Sequence, residues 1–200
     1  GTVMIQDEDV HLGFRLQWKN PFTDIDETAW YYDGVSFVCM NGLLTGTSGT
    51  SFSPELTMTR GMLVTALWRM EGSPAGKATA FSDVASGKYC FAAVAWASEN
   101  GIVGGYGSGR FGPDDAVTRE QMVTIFFRYA QFKGLGVSSA ESLDRYSDCA
   151  LVSAYARPAM AWAVGCGLVK GSGGSLLPGS PASRAQAAVI LQRFSQNVAK

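Results

Sequence analysis

Histidine is almost missing from this chain: His11 is the single copy among 200 residues. The histidine-centred nucleophile and acid–base arrangements of hydrolases are therefore not to be expected in its body. No nucleophile elbow, metal-ligand motif or phosphate-binding loop appears either, so no metal, no cofactor and no catalysis are expected. Charge is also scarce. Charged residues make up 16% and the formal net charge is −1, so no global field draws the chain to nucleic acid or to an anionic membrane. An anion site has to be built locally. No apolar run reaches the roughly 18 residues of a transmembrane helix, and no membrane insertion is expected. The cysteines, Cys39, Cys90, Cys149 and Cys166, include no CxxC pair, which argues against the common zinc and disulfide frameworks. They read as buried free thiols; a Cys149–Cys166 bridge stays open as an alternative.

What the chain does have is repetition. Asp24, Asp83 and Asp148 each follow an aromatic-polar pair: Phe22-Thr23, Phe81-Ser82 and Tyr146-Ser147. A second aromatic follows each, at Trp30, Tyr89 and Tyr155, the last one residue late. Glycines come next at 42, 101 and 167, then Phe52, Phe111 and Leu177, with a proline close behind. Each block ends at Thr59-Arg60, Thr118-Arg119 or Ser183-Arg184. The aspartates are 59 and 65 residues apart, and so are the arginines. Such a period marks one supersecondary unit used three times. Units of about sixty residues bury too little surface to be stable singly, so one cooperative body is expected: repeats at 21–72, 80–130 and 143–196, preceded by residues 1–20 as an extension or truncated linker.

Within each repeat the pattern predicts helix, loop, helix. The first helices are expected from Trp30 to Asn41, Tyr89 to Asn100 and Ala156 to Cys166, each stopped by a glycine. Asp24 or Thr28 is the candidate cap of the first one. The second helices are expected from Arg60 to Met70, Arg119 to Tyr129 and Arg184 to Gln196, with Thr59 as the first of their caps. Residues 71–79 and 131–142 read as linkers by composition. Ahead of the repeats, Val10, Leu12, Phe14 and Leu16 alternate with polar residues or glycine, which is strand-like spacing. Gly1 before Thr2 reads as a residue left by cloning, with the natural N-terminus upstream.

The ordered motifs Phe22-Thr23-Asp24-Ile25, Trp30-Tyr31, Phe52-Ser53-Pro54 and Thr59-Arg60 closely resemble the S-layer homology motif, as do Phe81-Ser82-Asp83-Val84, Phe111-Gly112-Pro113 and Thr118-Arg119. The resemblance covers residues 21–194. It implies a mainly α fold in which three helix–loop–helix repeats pack as a pseudo-threefold spindle. It also implies a non-catalytic cell-wall anchoring module at a bacterial surface. The implied partner is a secondary cell-wall polysaccharide whose pyruvylated N-acetylmannosamine carries a carboxylate, bound in grooves between repeats. The implied ligand-binding residues are Arg60, Arg119 and Arg184, Asp24, Asp83 and Asp148, Trp30, Tyr89 and Tyr155, and the loop backbone at Gly46 and Gly105.

Physical chemistry supports that assignment of roles. An arginine fork bonds both oxygens of a carboxylate and stays charged. At a helix start it would share the anion with free N–H groups. An aromatic face suits a sugar ring, and glycine lets backbone approach a ligand. Arg60 and Arg119 are the leading carboxylate partners, with Trp30 and Tyr89 against the sugar. Each position also has a structural alternative. The arginines would tie loop to helix through the aspartates, the aspartates would cap the first helices, and the aromatics would be interface core. Trp68, Trp96 and Trp162 read as core.

Departures from the family pattern concentrate in repeat three, where Cys149 follows the aspartate and Leu177-Pro178 lacks the intervening residue. The family's glutamate is Met62, Gln121 and Gln186; its alanine is Gly61 in repeat one and Glu120 in repeat two. Grooves built from repeats one and two are therefore expected to be the better ones. Two alternatives remain open. One is a self-association module of a surface layer, using loop aromatics such as Tyr106 and Phe111. The other is the C-terminal anchor of a surface hydrolase whose enzyme domain lies upstream.

Overall fold

A computed structural model of the chain describes residues 18–79 and 81–199. The strand-like stretch from Val10 to Leu16, and His11, lie outside them. Each repeat supplies two helices, and no strand forms among the described residues. They are α1 (Tyr32–Met40) and α2 (Arg60–Met70), α3 (Phe91–Glu99) and α4 (Arg119–Phe132), α5 (Arg157–Gly165) and α6 (Arg184–Asn197). The helix–loop–helix pattern is thus as expected from the sequence, with small shifts at the ends.

The first helices start one or two residues later than the apolar pattern predicts. Tyr32 N–H donates to Ala29 C=O at 2.9 Å, and Phe91 N–H to Lys88 C=O at 2.9 Å. These tight turns precede the helices and present Trp30 and Tyr89 to solvent. No side chain caps α1, so neither Asp24 nor Thr28 has the capping role expected of it. Thr28 turns back to Asp26 at 2.7 Å, and Asp24 reaches the far loop instead. The glycine stops hold. Gly42, Gly101 and Gly167 have φ of 65°, 69° and 74°, the left-handed geometry that lets Leu43 N–H return to Val38 C=O at 2.8 Å.

The second helices carry stronger start signals. Thr59 Oγ1 accepts from Met62 N–H. Thr118 with Gln121, and Ser183 with Gln186, form reciprocal capping boxes. Gln121 and Gln186 thus perform the capping part of the family's glutamate, which Met62 cannot.

Helices pack in pairs between repeats: α2 on α3, α4 on α5, and α6 back on α1. Each repeat's second helix leans on the next repeat's first, and the third returns to the first. The backbone just ahead of the second helices closes the same cycle. Met58 N–H donates to Ala182 C=O, Ala182 N–H to Val117 C=O, and Val117 N–H to Met58 C=O, at 2.8, 2.9 and 2.9 Å. Met58, Val117 and Ala182 are all fully buried. Around them lies one apolar cluster that draws on all three repeats, including Phe126 against Phe194 at 5.3 Å between ring centroids. All four cysteines are free, so the Cys149–Cys166 bridge does not form. Trp96 and Trp162 are buried as expected, and Trp68 is half-buried with its Nε1–H on Pro74 C=O.

Removing residues 140–200 opens the ring and strips α1 and α4 of their partners. A fragment 1–139 should therefore lose its cooperative thermal transition; a transition at the parent temperature, followed by circular dichroism, would contradict this.

Candidate functional site

The loops that wall the inter-repeat spaces are fixed from below by the repeated aspartates. Asp24 accepts from Phe52 and Ser53 N–H at 2.9 and 2.8 Å. Asp83 accepts from Phe111 and Gly112 at 2.9 and 2.8 Å, and Asp148 from Leu176 and Leu177 at 2.7 Å each. The third pair realigns repeat three. Leu176, not Leu177, matches Phe52 and Phe111, and Leu176-Leu177-Pro178 is the full three-residue motif. The extra residue before Tyr155 is offset by a shorter loop, so the aspartate-to-loop distance along the chain is 28 residues in every repeat. Burial alone would raise the carboxyl pKa of Asp83 and Asp148, but the paired N–H donors hold both below the ordinary value.

The glycines of these loops have a packing reason. A Cβ on Gly46 would come within 2.5 Å of the Phe22 ring, one on Gly105 within 2.6 Å of Phe81, and one on Gly171 within 2.7 Å of Tyr146. The loop backbone lies directly on the aromatic that precedes each aspartate.

The arginines bond to backbone of the next repeat rather than to the aspartates. Arg60 donates from Nε to Phe111 C=O at 3.0 Å and from Nη2 to Gly104 C=O at 2.9 Å. Its guanidinium lies 4.5 Å from the Tyr106 ring centroid and 4.6 Å from that of Phe111. Arg184 repeats this on Phe52 and Thr45, at 2.9 and 2.6 Å. Arg119 is held less: its one hydrogen bond among the described residues runs from Nε to Leu176 C=O at 2.7 Å. Burial lowers the pKa of all three guanidiniums, yet arginine remains charged at neutral pH. The N–H groups at the helix starts are not free for an anion. Those of Arg60 and Gly61 donate to Asp115 and Pro113, those of Arg119 and Glu120 to Ser180 and Pro178, and those of Arg184 and Ala185 to Leu56 and Pro54.

The aromatics are not interface core: Trp30, Tyr89 and Tyr155 are 64%, 56% and 55% exposed. Trp30 and Tyr155 each meet an arginine from another repeat. Trp30 lines a groove of about 380 Å³ with Arg119, the 168–172 loop, Gln186 and Arg193. Tyr155 lines a second, of about 340 Å³, with Arg60, the 103–106 loop, Gln121 and Arg128. Of the two leading arginines, Arg119 therefore shares a groove with Trp30, and Arg60 lies in the other. Both grooves draw on repeat three. Tyr89 points its hydroxyl to Thr59 at 3.4 Å and fills the space above Gly61, where a Cβ would lie 2.8 Å from it. Tyr155 is anchored through Glu120, which accepts from Ser153 N–H and Oγ and from the Tyr155 hydroxyl at 3.0, 2.8 and 3.2 Å. Burial, with the facing Glu120 carboxylate, pushes that phenol up to about 12. Phe111, expected on the surface, is buried beneath Arg60, whereas Tyr106 is exposed.

An S-layer homology domain profile matches residues 21–61, 80–123 and 145–188. The chain belongs to the S-layer homology domain family. S-layer homology domains are cell-wall anchoring modules, typically non-catalytic by themselves, and this membership places the chain at the cell surface. The chain is 30% identical over 181 residues to an endoglucanase of Bacillus sp. (strain KSM-635), covering 90% of this chain and 19% of that protein. It is 28% identical over 185 residues to an amylopullulanase of Thermoanaerobacterium thermosulfurigenes, covering 88% and 10%. To the surface-layer 125 kDa protein of Lysinibacillus sphaericus it is 27% identical over 161 residues, covering 78% and 13%. The chain thus spans less than a fifth of the length of these relatives.

Sequence reasoning passed over Arg128 and Arg193, although a signal was present. Arg69, Arg128 and Arg193 recur with the same 59- and 65-residue steps as the first arginines. Arg69 and Arg193 tie down Leu43 and Leu168 carbonyls at 3.2 and 3.0 Å, while Arg128 makes no such bond among the described residues and is exposed.

Replacing Arg184 by Ala strands the Thr45 and Phe52 carbonyls and should cost about 2–5 kcal/mol. Arg119→Ala, which frees one carbonyl, should cost about 1–2 kcal/mol; urea unfolding of both variants checks the order. Asp83 and Asp148 have folded-state pKa values below the unfolded value near ~3.9. Their contribution is complete above that value and is lost as pH falls through the folded ones. Melting temperature should drop on acidification below about pH 4, and less so in Asp83→Asn, which starts from lower stability at neutral pH.

Proposed function

We propose that this S-layer homology module anchors its parent protein by binding a pyruvylated secondary cell-wall polysaccharide in the grooves between repeats. The observation that carries this is the meeting of Arg119 and Trp30 in one groove from two different repeats. Among the described residues Arg119 donates only from Nε, which leaves the two terminal nitrogens to grip a ketal carboxylate in a bidentate pair. Trp30, 64% exposed, offers a flat apolar face to the sugar ring. Gln186, on the same wall, can bond a hydroxyl or an acetamido group. Arg60 with Tyr155 is the second candidate groove. Arg184 lines neither of these two grooves and is assigned a structural role: its guanidinium is buried and, like that of Arg60, bonded at two nitrogens to the neighbouring repeat. The aspartates act at one remove, by shaping the loops. The three repeats are read as one cooperative, spindle-like body, and residues outside the repeats as a linker to the protein being anchored.

Calorimetric titration with pyruvylated wall polysaccharide, beside the same polymer stripped of its ketal, tests this reading. Binding should require the ketal and weaken about tenfold or more in Arg119→Ala, the loss of one charge-assisted contact. Binding that ignores the ketal would remove the carboxylate from the account. No binding to either polymer would favour self-association of the module instead.

A further inference from the structure

The three arginines that open α2, α4 and α6 are held unequally, and the least restrained one stands opposite a lysine. Thr45, Gly104 and Lys170 occupy the same loop position in the three repeats. The carbonyls of Thr45 and Gly104 accept from Nη2 of Arg184 and Arg60 at 2.6 and 2.9 Å. Arg119 makes no corresponding bond to Lys170 among the described residues. It also lacks the aromatic ring beneath the guanidinium, since Leu176 stands where Phe52 and Phe111 support the others. Its groove therefore carries Arg119, Lys170 and Arg193, and no carboxylate lines it among the described residues. Lys170 is exposed and in no ion pair among the described residues. Asp148, the acid that acts on Arg119, has its two oxygens occupied by the N–H groups of Leu176 and Leu177. A single ketal carboxylate balances one of three cations.

Resting on the anchoring reading above, we infer that this groove takes a glycan segment with two anionic groups. Arg119 holds the ketal carboxylate, and Lys170 with Arg193 takes an oxyanion on the adjoining sugar, a carboxylate or a phosphate. The Arg60 groove has Gly104 in place of the lysine and, in its described lining, carries two cations, Arg60 and Arg128, rather than three.

Three synthetic disaccharides test this, each with the pyruvyl ketal of N-acetylmannosamine at one end. The second sugar is glucose, glucuronate or glucose 6-phosphate, so the first two differ in charge at one carbon. In low salt the wild-type protein should bind at least one of the charged disaccharides about fivefold more tightly than the neutral one, the size of a partly exposed ion pair, and the preferred one identifies the oxyanion. Lys170→Thr, which installs the residue of repeat one at an exposed position, should bind charged and neutral forms alike. Equal binding of all three disaccharides by the wild type, or a preference that survives in Lys170→Thr, overturns the inference while leaving the ketal reading intact. Failure of the wild type to bind any of them overturns both.

Discussion

The first N–H groups of α2, α4 and α6 have no partners within their own helices, as at any helix start. Here two of them per helix donate to carbonyls of the next repeat, one to the proline of its Phe-Ser-Pro, Phe-Gly-Pro or Leu-Leu-Pro segment and one to the residue two positions beyond, and the third is met by the Thr or Ser cap. A helix start is thereby completed only when another repeat is in place. Because the donation runs from repeat one to two, two to three and three to one, the cycle closes, with the Met58–Ala182–Val117 backbone ring at its centre. Closure is what distinguishes this arrangement from an open head-to-tail array. The loops, arginines and grooves all take their positions from it.

The same coupling explains why the grooves combine residues far apart in the chain. An arginine at the start of one repeat's second helix lies over the loop of the next. The exposed aromatic of the remaining repeat completes the wall, as Trp30 does for Arg119 and Tyr155 for Arg60. Each groove therefore draws on all three repeats, and a sequence departure in one repeat alters a site whose other parts look unchanged. Leu176 in place of phenylalanine removes the ring beneath Arg119. Glu120 in place of alanine ties down Tyr155 and Ser153. Gly61 makes room for Tyr89. These substitutions differentiate interfaces that the repeat would otherwise make equivalent.

Local signals in the sequence were sufficient for the elements. Thr59, Thr118 and Ser183 mark the starts of the second helices because their side chains satisfy an N–H three residues on. Gly42, Gly101 and Gly167 mark the ends of the first helices because a left-handed residue must stand there. Where the local signal was read wrongly, a distant partner was the cause. Asp24 has the chemistry of a cap, but Phe52 and Ser53 offer it two donors instead of one. Leu177 sits at the expected distance from Gly167, yet Asp148 measures the loop from the other side and selects Leu176 as the buried residue.

By itself, the sequence determined the threefold repeat, the helix–loop–helix order, the family and the residue types able to meet an acidic glycan, since these rest on periodicity, caps and motif spacing along the chain. Only the tertiary structure decided which arginine shares a groove with which aromatic, which guanidinium keeps free nitrogens and which is consumed by backbone. Those outcomes depend on hydrogen bonds between residues as far apart as Thr45 and Arg184, and pairing of that kind is set by how the ring closes rather than by any neighbour in sequence.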